Sequence, residues 1–170
     1  MLESRRKYVD AVVITGGEPC MHKELPKFIA KLKEHGFSIK LDTNGFYPDT
    51  LEECLNIVDY IAMDVKAAPD KYSALGAGNI ENLMRTVEIL KTGKVPYEFR
   101  TTVVPGIVTP EELMSIGELV KGASTLALQQ FVPHDTLDKK FETLRPYAPD
   151  VIENYAQIMK KYVNNVVLRI

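Results

Sequence analysis

The stretch Ala11–Pro19, AVVITGGEP, is a short apolar run closed by a threonine, a glycine pair, a carboxylate and a proline. β-branched residues bounded by glycine read as a strand, and an uninterrupted apolar run suits a parallel strand covered on both faces. The glycines let the backbone turn sharply and come close to a neighbour or a ligand. A segment of helical period follows. Lys23–Glu34 places Leu25, Phe28, Ile29 and Leu32 on one stripe, and Gly36 ends it in the position of a C-cap glycine.

The same alternation recurs outward from this unit. Strands are expected at Ala11–Thr15, Ser38–Leu41, Tyr60–Val65, Tyr97–Val104, Thr125–Gln129 and Val166–Ile170. Helices are expected at Lys23–Glu34, Asp49–Asn56, Asn79–Lys91, Pro110–Lys121 and Asp150–Tyr162. Thr109-Pro110-Glu111-Glu112 supplies an N-cap, a first-turn proline and acids that favour the positive end of the helix. Strands alternating with helices imply an α/β fold with a parallel sheet. The segments Ala67–Gly78 and Val132–Pro149 are long for plain connections and read as lids or binding surfaces.

Composition narrows the function. With 170 residues, 45% hydrophobic and 26% charged, the chain can bury one core, so residues 1–170 are expected to form a single domain. Its 21 basic and 23 acidic side chains leave a formal charge of −2. The runs Arg5-Arg6-Lys7, Lys139-Lys140 and Lys160-Lys161 are scattered among acids, which argues against a nucleic-acid partner. No apolar run approaches the roughly 20 residues of a membrane span, and the start lacks a signal-peptide core. A cytoplasmic protein with no membrane partner is expected. Only Cys20 and Cys54 are present, too few and too far apart for a disulfide framework or a CxxC metal site, and Cys54 reads as a buried apolar residue.

Parallel β/α proteins bind ligands beyond the carboxyl ends of their strands. Here the first three strand ends are polar. The first carries Gly16, Gly17, Glu18 and Pro19, the second Asp42, Thr43, Asn44 and Gly45, and the third Asp64 and Lys66. Each has a plain structural reading: a glycine turn, an Asx-type turn and a local ion pair. Their succession at one mouth, with carboxylates, a hydroxyl and an amine, favours a site.

The motifs VVITGGEP, IKLDTNGF, DYIAMDVK, FRTTVVPG and LQQFVPH, in that order, resemble the radical S-adenosylmethionine (SAM) activators of glycyl-radical enzymes. The likeness is greatest to the activators of anaerobic ribonucleoside-triphosphate reductase, then to those of pyruvate formate-lyase, and runs from Asp10 to Ile170. The resemblance implies a partial (β/α) barrel of TIM-like, radical SAM type. It implies an oxidoreductase that cleaves SAM to a 5′-deoxyadenosyl radical, which removes a hydrogen atom from a glycine of the partner enzyme. It further implies a reductant such as flavodoxin or ferredoxin, and an anaerobic setting.

Carried onto matching positions, Gly16, Gly17, Glu18 and Pro19 hold the amino group of the SAM methionine. Asp42, Thr43, Asn44, Asp64 and Lys66 lie against its methionine part, and Asp42 with Asp64 could hold a cation. Arg100 faces the site with Thr102 beside it, Arg100 and Lys66 are expected to act in catalysis, and His134 falls near a histidine that contacts SAM in some members. The family's 4Fe–4S cluster is held by three cysteines in a CxxxCxxC loop, which these residues do not contain. The chain is therefore expected to lack the first β/α unit, to leave an apolar edge beside Ala11–Thr15, and to be inactive alone. Two other functions stay open: a non-catalytic module binding an adenosyl ligand or a partner, and a β/α-barrel hydrolase or aldolase with a metal on Asp42 and Asp64 and Lys66 as base or Schiff-base former.

Overall fold

A computed structural model describes residues 7–76, 78–134, 136 and 138–170. Of the run Arg5-Arg6-Lys7, only Lys7 lies among them. The strands are β1 (Ala11–Ile14), β2 (Ser38–Thr43), β3 (Tyr60–Asp64), β4 (Tyr97–Val103), β5 (Thr125–Gln130) and β6 (Asn165–Arg169). The helices are α1 (Leu25–Glu34), α2 (Pro48–Cys54), α3 (Ile80–Lys91), α4 (Pro110–Leu119) and α5 (Pro149–Met159). Strand order follows the chain, β1-β2-β3-β4-β5-β6, which is the order a partial (β/α) barrel requires. The expected elements are all present, with ends moved by one to three residues. Both long connections contain 3₁₀ turns, Pro69–Leu75 and Lys139–Thr143, and another, Pro19–Met21, follows the glycine pair.

The chain divides into two compact units, Met1–Asp64 with Gly78–Glu98 and Val65–Ala77 with Phe99–Ile170. In the first, β1 pairs with β2 and β2 with β3, all parallel, in a register that sets Val13 beside Lys40 and Asp42 beside Ala62. Alternation then puts Lys40, Asp42, Ala62 and Asp64 on one face of the sheet. Leu41, Thr43 and Met63 take the other face, where Ile39, Leu41, Ile61 and Met63 are buried with Ile29, Leu51, Leu83 and Leu90 of the helices. Within α1, Leu25, Ile29 and Leu32 are buried, but Phe28 is 49% exposed. It sits at the margin of the apolar stripe and lines a cavity of about 340 Å³ with Ile14, Gly16, Pro19 and Leu25. The outer strand β1 is partly open, with Val13 51% exposed.

In the second unit β4, β5 and β6 pair in parallel, with Arg100 beside Ala127 and Thr102 beside Gln129. Phe99, Val103, Leu126 and Leu128 of the sheet are buried with Leu113 and Ile116 of α4 and Ile152 and Met159 of α5. Thr109 caps α4 as expected, its side chain accepting from the Glu112 N–H. No helix among the described residues is long and apolar enough to cross a membrane.

Candidate functional site

At the end of β1 the backbone of Gly16 and Gly17 has φ of 91° and 54°. A side chain there would meet nothing within 4 Å, so open space lies beside both residues. Glu18 follows and turns inward to the protein. Its Oε1 accepts from the Cys20 N–H at 3.0 Å and the Thr43 hydroxyl at 2.7 Å, and its Oε2 accepts from the Asn44 N–H at 2.6 Å. Pro19 is buried as the first residue of the 3₁₀ turn that Glu18 caps.

The turn after β2 is fixed from several sides. The Gly45 N–H donates to Thr43 Oγ1, and the Phe46 N–H donates to Asn44 Oδ1. From α3, the buried Thr86 hydroxyl donates to the Gly45 carbonyl at 2.7 Å, and Asn82 donates to the Phe46 carbonyl at 3.2 Å. Gly45 has φ 82°, and a Cβ on it would come within 2.3 Å of the Met63 terminal methyl, so the turn favours glycine. Thr86 and Asn82 escaped the sequence reading. The only signal was a threonine inside the apolar stripe Leu83, Val87, Leu90.

Strand alternation separates residues that the sequence groups together. Thr43, 4% exposed, faces the helix layer and reaches Glu18 there, whereas Asp42 and Asp64 share the opposite face. Asp42 carries the Lys40 ammonium at 2.7 Å, a positive charge already placed where a cation was expected. Among the described residues no group of three or more histidines, cysteines and acids gathers to hold a metal ion.

In the second unit Lys66 and Thr102 line one cavity of about 610 Å³, with Thr136 and the rings of Phe131 and Phe141. Arg100, two positions before Thr102, projects from the same face of β4. The Lys66 N–H donates to the buried Tyr72 hydroxyl at 2.8 Å. The segment around it is anchored to α4, since the buried Glu112 carboxylate accepts from the Ala68 N–H and the Lys71 ammonium. Sequence reasoning singled out neither Tyr72 nor the partners of Glu112 in this segment. His134 is exposed in the connection after β5, and its neighbours Asp135 and Leu137 lie outside the described residues. Beside that connection, Gln130 donates to the Tyr147 carbonyl at 3.0 Å. The Tyr155 phenol is pushed up to about 12, first by burial and then by its bond to Tyr147.

The cysteines were the remaining candidates for metal chemistry. Cys20 is 1% exposed and Cys54 0%. Burial is the main cause that pushes both thiols up, Cys54 to about 12 and Cys20 further. A 4Fe–4S cluster needs several thiolates, and two buried protonated thiols do not fit it.

Comparisons with known proteins agree with this architecture. Residues 1–120 match the model of the radical SAM superfamily. A Methanocaldococcus jannaschii protein provisionally named a glycyl-radical enzyme activating enzyme is 37% identical over 95% of this chain and 71% of its own length. A second M. jannaschii protein with the same provisional name is 28% identical over 71% of this chain and 49% of its own, so the chain spans only part of these relatives. Among solved structures, a domain of pyruvate-formate lyase-activating enzyme from Bacteroides vulgatus superposes with a TM-score of 0.72 at 17% identity, covering 93% of this chain and 98% of that one. Streptococcus suis SuiB bound to S-adenosylmethionine gives 0.72 at 9% identity, over 99% of this chain and 41% of its own. At such identities the structures speak for the fold, and the sequence matches speak for descent. The chain belongs to the radical SAM superfamily and is a homologue of a protein provisionally named a glycyl-radical enzyme activating enzyme.

Proposed function

We propose that the 170 residues act as one radical SAM core and carry the SAM-binding part of an enzyme that activates a glycyl-radical partner. The end of β1 is the observation that carries this: two left-handed glycines with open space beside them, next to a turn held rigidly at the end of β2. Peptide groups not covered by side chains can meet the ammonium and carboxylate of an amino-acid ligand directly. The charged and hydroxyl side chains of Asp64, Lys66, Arg100 and Thr102 are assigned to the ligand on the family resemblance. His134 and Asn44 are included on the family resemblance.

SAM supplies, on one-electron reduction, a 5′-deoxyadenosyl radical able to take a hydrogen atom from a glycine. The thiolates for the reducing cluster are not among these residues, so no reductive step is assigned to them. The complete activity is proposed for a polypeptide in which these residues act with a CxxxCxxC loop. Its partner would be an anaerobic ribonucleotide reductase or an enzyme of formate-lyase type, and its electrons would come from flavodoxin or ferredoxin in the cytoplasm.

Calorimetric titration with SAM tests the binding. Gly17→Ala leaves the protein folded, because a left-handed alanine costs about 1–2 kcal/mol and meets no neighbour here. It is expected to lower SAM affinity at least about tenfold by covering the backbone. Absence of SAM binding in the parent chain, or equal affinity in the variant, would refute the proposal.

A further inference from the structure

We infer that Tyr72 and Thr101 are positioning residues: their hydroxyls hold the Val65–Lys66 peptide from its two sides and so aim the Lys66 side chain into the cavity it lines. The inference rests on the assignment of Lys66 to the SAM-binding residues and deepens it by naming what fixes the lysine.

A peptide group offers one donor and one acceptor. In the peptide that follows the end of β3, both are met by side chains. The Val65 carbonyl accepts from the Thr101 hydroxyl of β4 at 2.8 Å, and the Lys66 N–H donates to the Tyr72 hydroxyl of the next 3₁₀ turn at 2.8 Å. Thr101 is 0% exposed and Tyr72 2%, so water does not compete for either bond. On either side the backbone is fixed as well. The Val65 N–H donates to the Arg100 carbonyl of β4 at 2.8 Å, and the Ala68 N–H donates to the buried Glu112 carboxylate of α4. Lys66 itself is exposed, and its N–H could have been left to water. It is the only charged side chain among the described residues that line the cavity of about 610 Å³, beside Thr102 and the rings of Phe131 and Phe141. A lysine ammonium is a point charge on a flexible stem, so where it can reach depends on where its backbone is held. A backbone fixed in advance also lessens the ordering that ligand binding must impose. Alternation along β4 divides the work between adjacent threonines: Thr101 is buried and holds the peptide, while Thr102 is exposed and lines the cavity.

The test compares Tyr72→Phe, Thr101→Val and Thr101→Ser with the parent chain, each alone and combined with Lys66→Met. SAM is titrated calorimetrically, and backbone hydrogen exchange is followed at Lys66. Lys66→Met should lower SAM affinity roughly ten- to a hundredfold, as for a lost charge-assisted hydrogen bond. With Lys66 present, Tyr72→Phe and Thr101→Val should each lower it roughly three- to thirtyfold and speed exchange of the Lys66 amide. In the Lys66→Met background the same two changes should cost no further affinity, because they act through the lysine. Thr101→Ser keeps the hydroxyl and should bind as the parent does. Equal losses in both backgrounds would make the two hydroxyls general supports of the fold and overturn the inference. Lys66→Met with unchanged SAM affinity would also overturn it, while leaving the SAM proposal standing. If Tyr72→Phe does not fold, the contrast of Thr101→Val with Thr101→Ser carries the same comparison. If the parent chain does not bind SAM, the SAM proposal fails and exchange decides the grip by itself: faster exchange at Lys66 supports it, unchanged exchange overturns it.

Discussion

Glu112 shows how far a single residue can depart from its local meaning. In sequence it completes Thr109-Pro110-Glu111-Glu112, and that part was legible because capping depends on neighbours a few positions apart. In the fold its carboxylate is 1% exposed and serves the segment after β3, accepting from the Ala68 N–H and the Lys71 ammonium. A partner 44 positions away leaves no local trace. Glu112→Ala strands a buried N–H, and we expect a loss of about 1.5–3 kcal/mol in urea unfolding. Glu112→Gln keeps an acceptor for that N–H and should lose clearly less, because Lys71 is an exposed partner whose charge adds little. Equal losses in the two variants would move the effect from the buried acceptor to the charge. Glu18 and Thr43 teach the same lesson at the site. Their residue types suggested ligand contacts, whereas in the fold the Thr43 hydroxyl donates to Glu18 across 25 positions of sequence.

Between elements, register and turns are held by small numbers of polar contacts. Asp59, just before β3, accepts from the Ile39 N–H of β2 at 2.6 Å and from Lys33 of α1 at 2.8 Å. Burial alone would raise its carboxyl, but the Lys33 and Ile39 bonds outweigh that and hold it below the ordinary 3.8. A carboxyl depressed in the folded state stabilises above its unfolded value and loses that contribution as pH falls through the folded one. The stability gap between the parent and Asp59→Asn should therefore be constant near neutrality and close below about pH 3.8, and a gap that widened in acid would reverse the assignment. The Asp59 side chain is 44% exposed, so the gap should also shrink with salt. Thr86→Val tests the other device: it removes the buried hydroxyl donor to the Gly45 carbonyl and should cost about 1–3 kcal/mol while speeding exchange in the turn. The strands and helices themselves were legible, because their periods and glycine stops repeat along the chain. The tie from α3 was not, since Thr86 lies inside an otherwise apolar stripe.

For the whole molecule, alternation of apolar runs foretold a parallel α/β chain. The division into two compact units crosses the chain at Asp64–Val65, Ala77–Gly78 and Glu98–Phe99; the first and last crossings have no sign in composition, because they fall at or within strands, whereas the middle one falls between β3 and α3. The cysteines give the test that spans the molecule. Cys20 and Cys54 are both under about 2% exposed, and burial raises both thiols, so neither forms thiolate readily at neutral pH. A thiol reagent that requires thiolate should find almost nothing in the folded protein and both thiols after unfolding in urea. Anaerobic incubation with iron and sulfide should leave the protein colourless, and dithionite with SAM should release no 5′-deoxyadenosine, because two protonated, buried sulfurs cannot hold a cluster that needs several thiolates. The outcomes are linked. Rapid labelling of native Cys20 would mean that the strand end opens, against the bonds that tie Glu18 to Cys20, Thr43 and Asn44. Stable visible absorbance after reconstitution would show thiolates that this fold does not present. Slow labelling with no colour, together with retained SAM binding, would leave the glycine pair as a ligand site that works without the cluster.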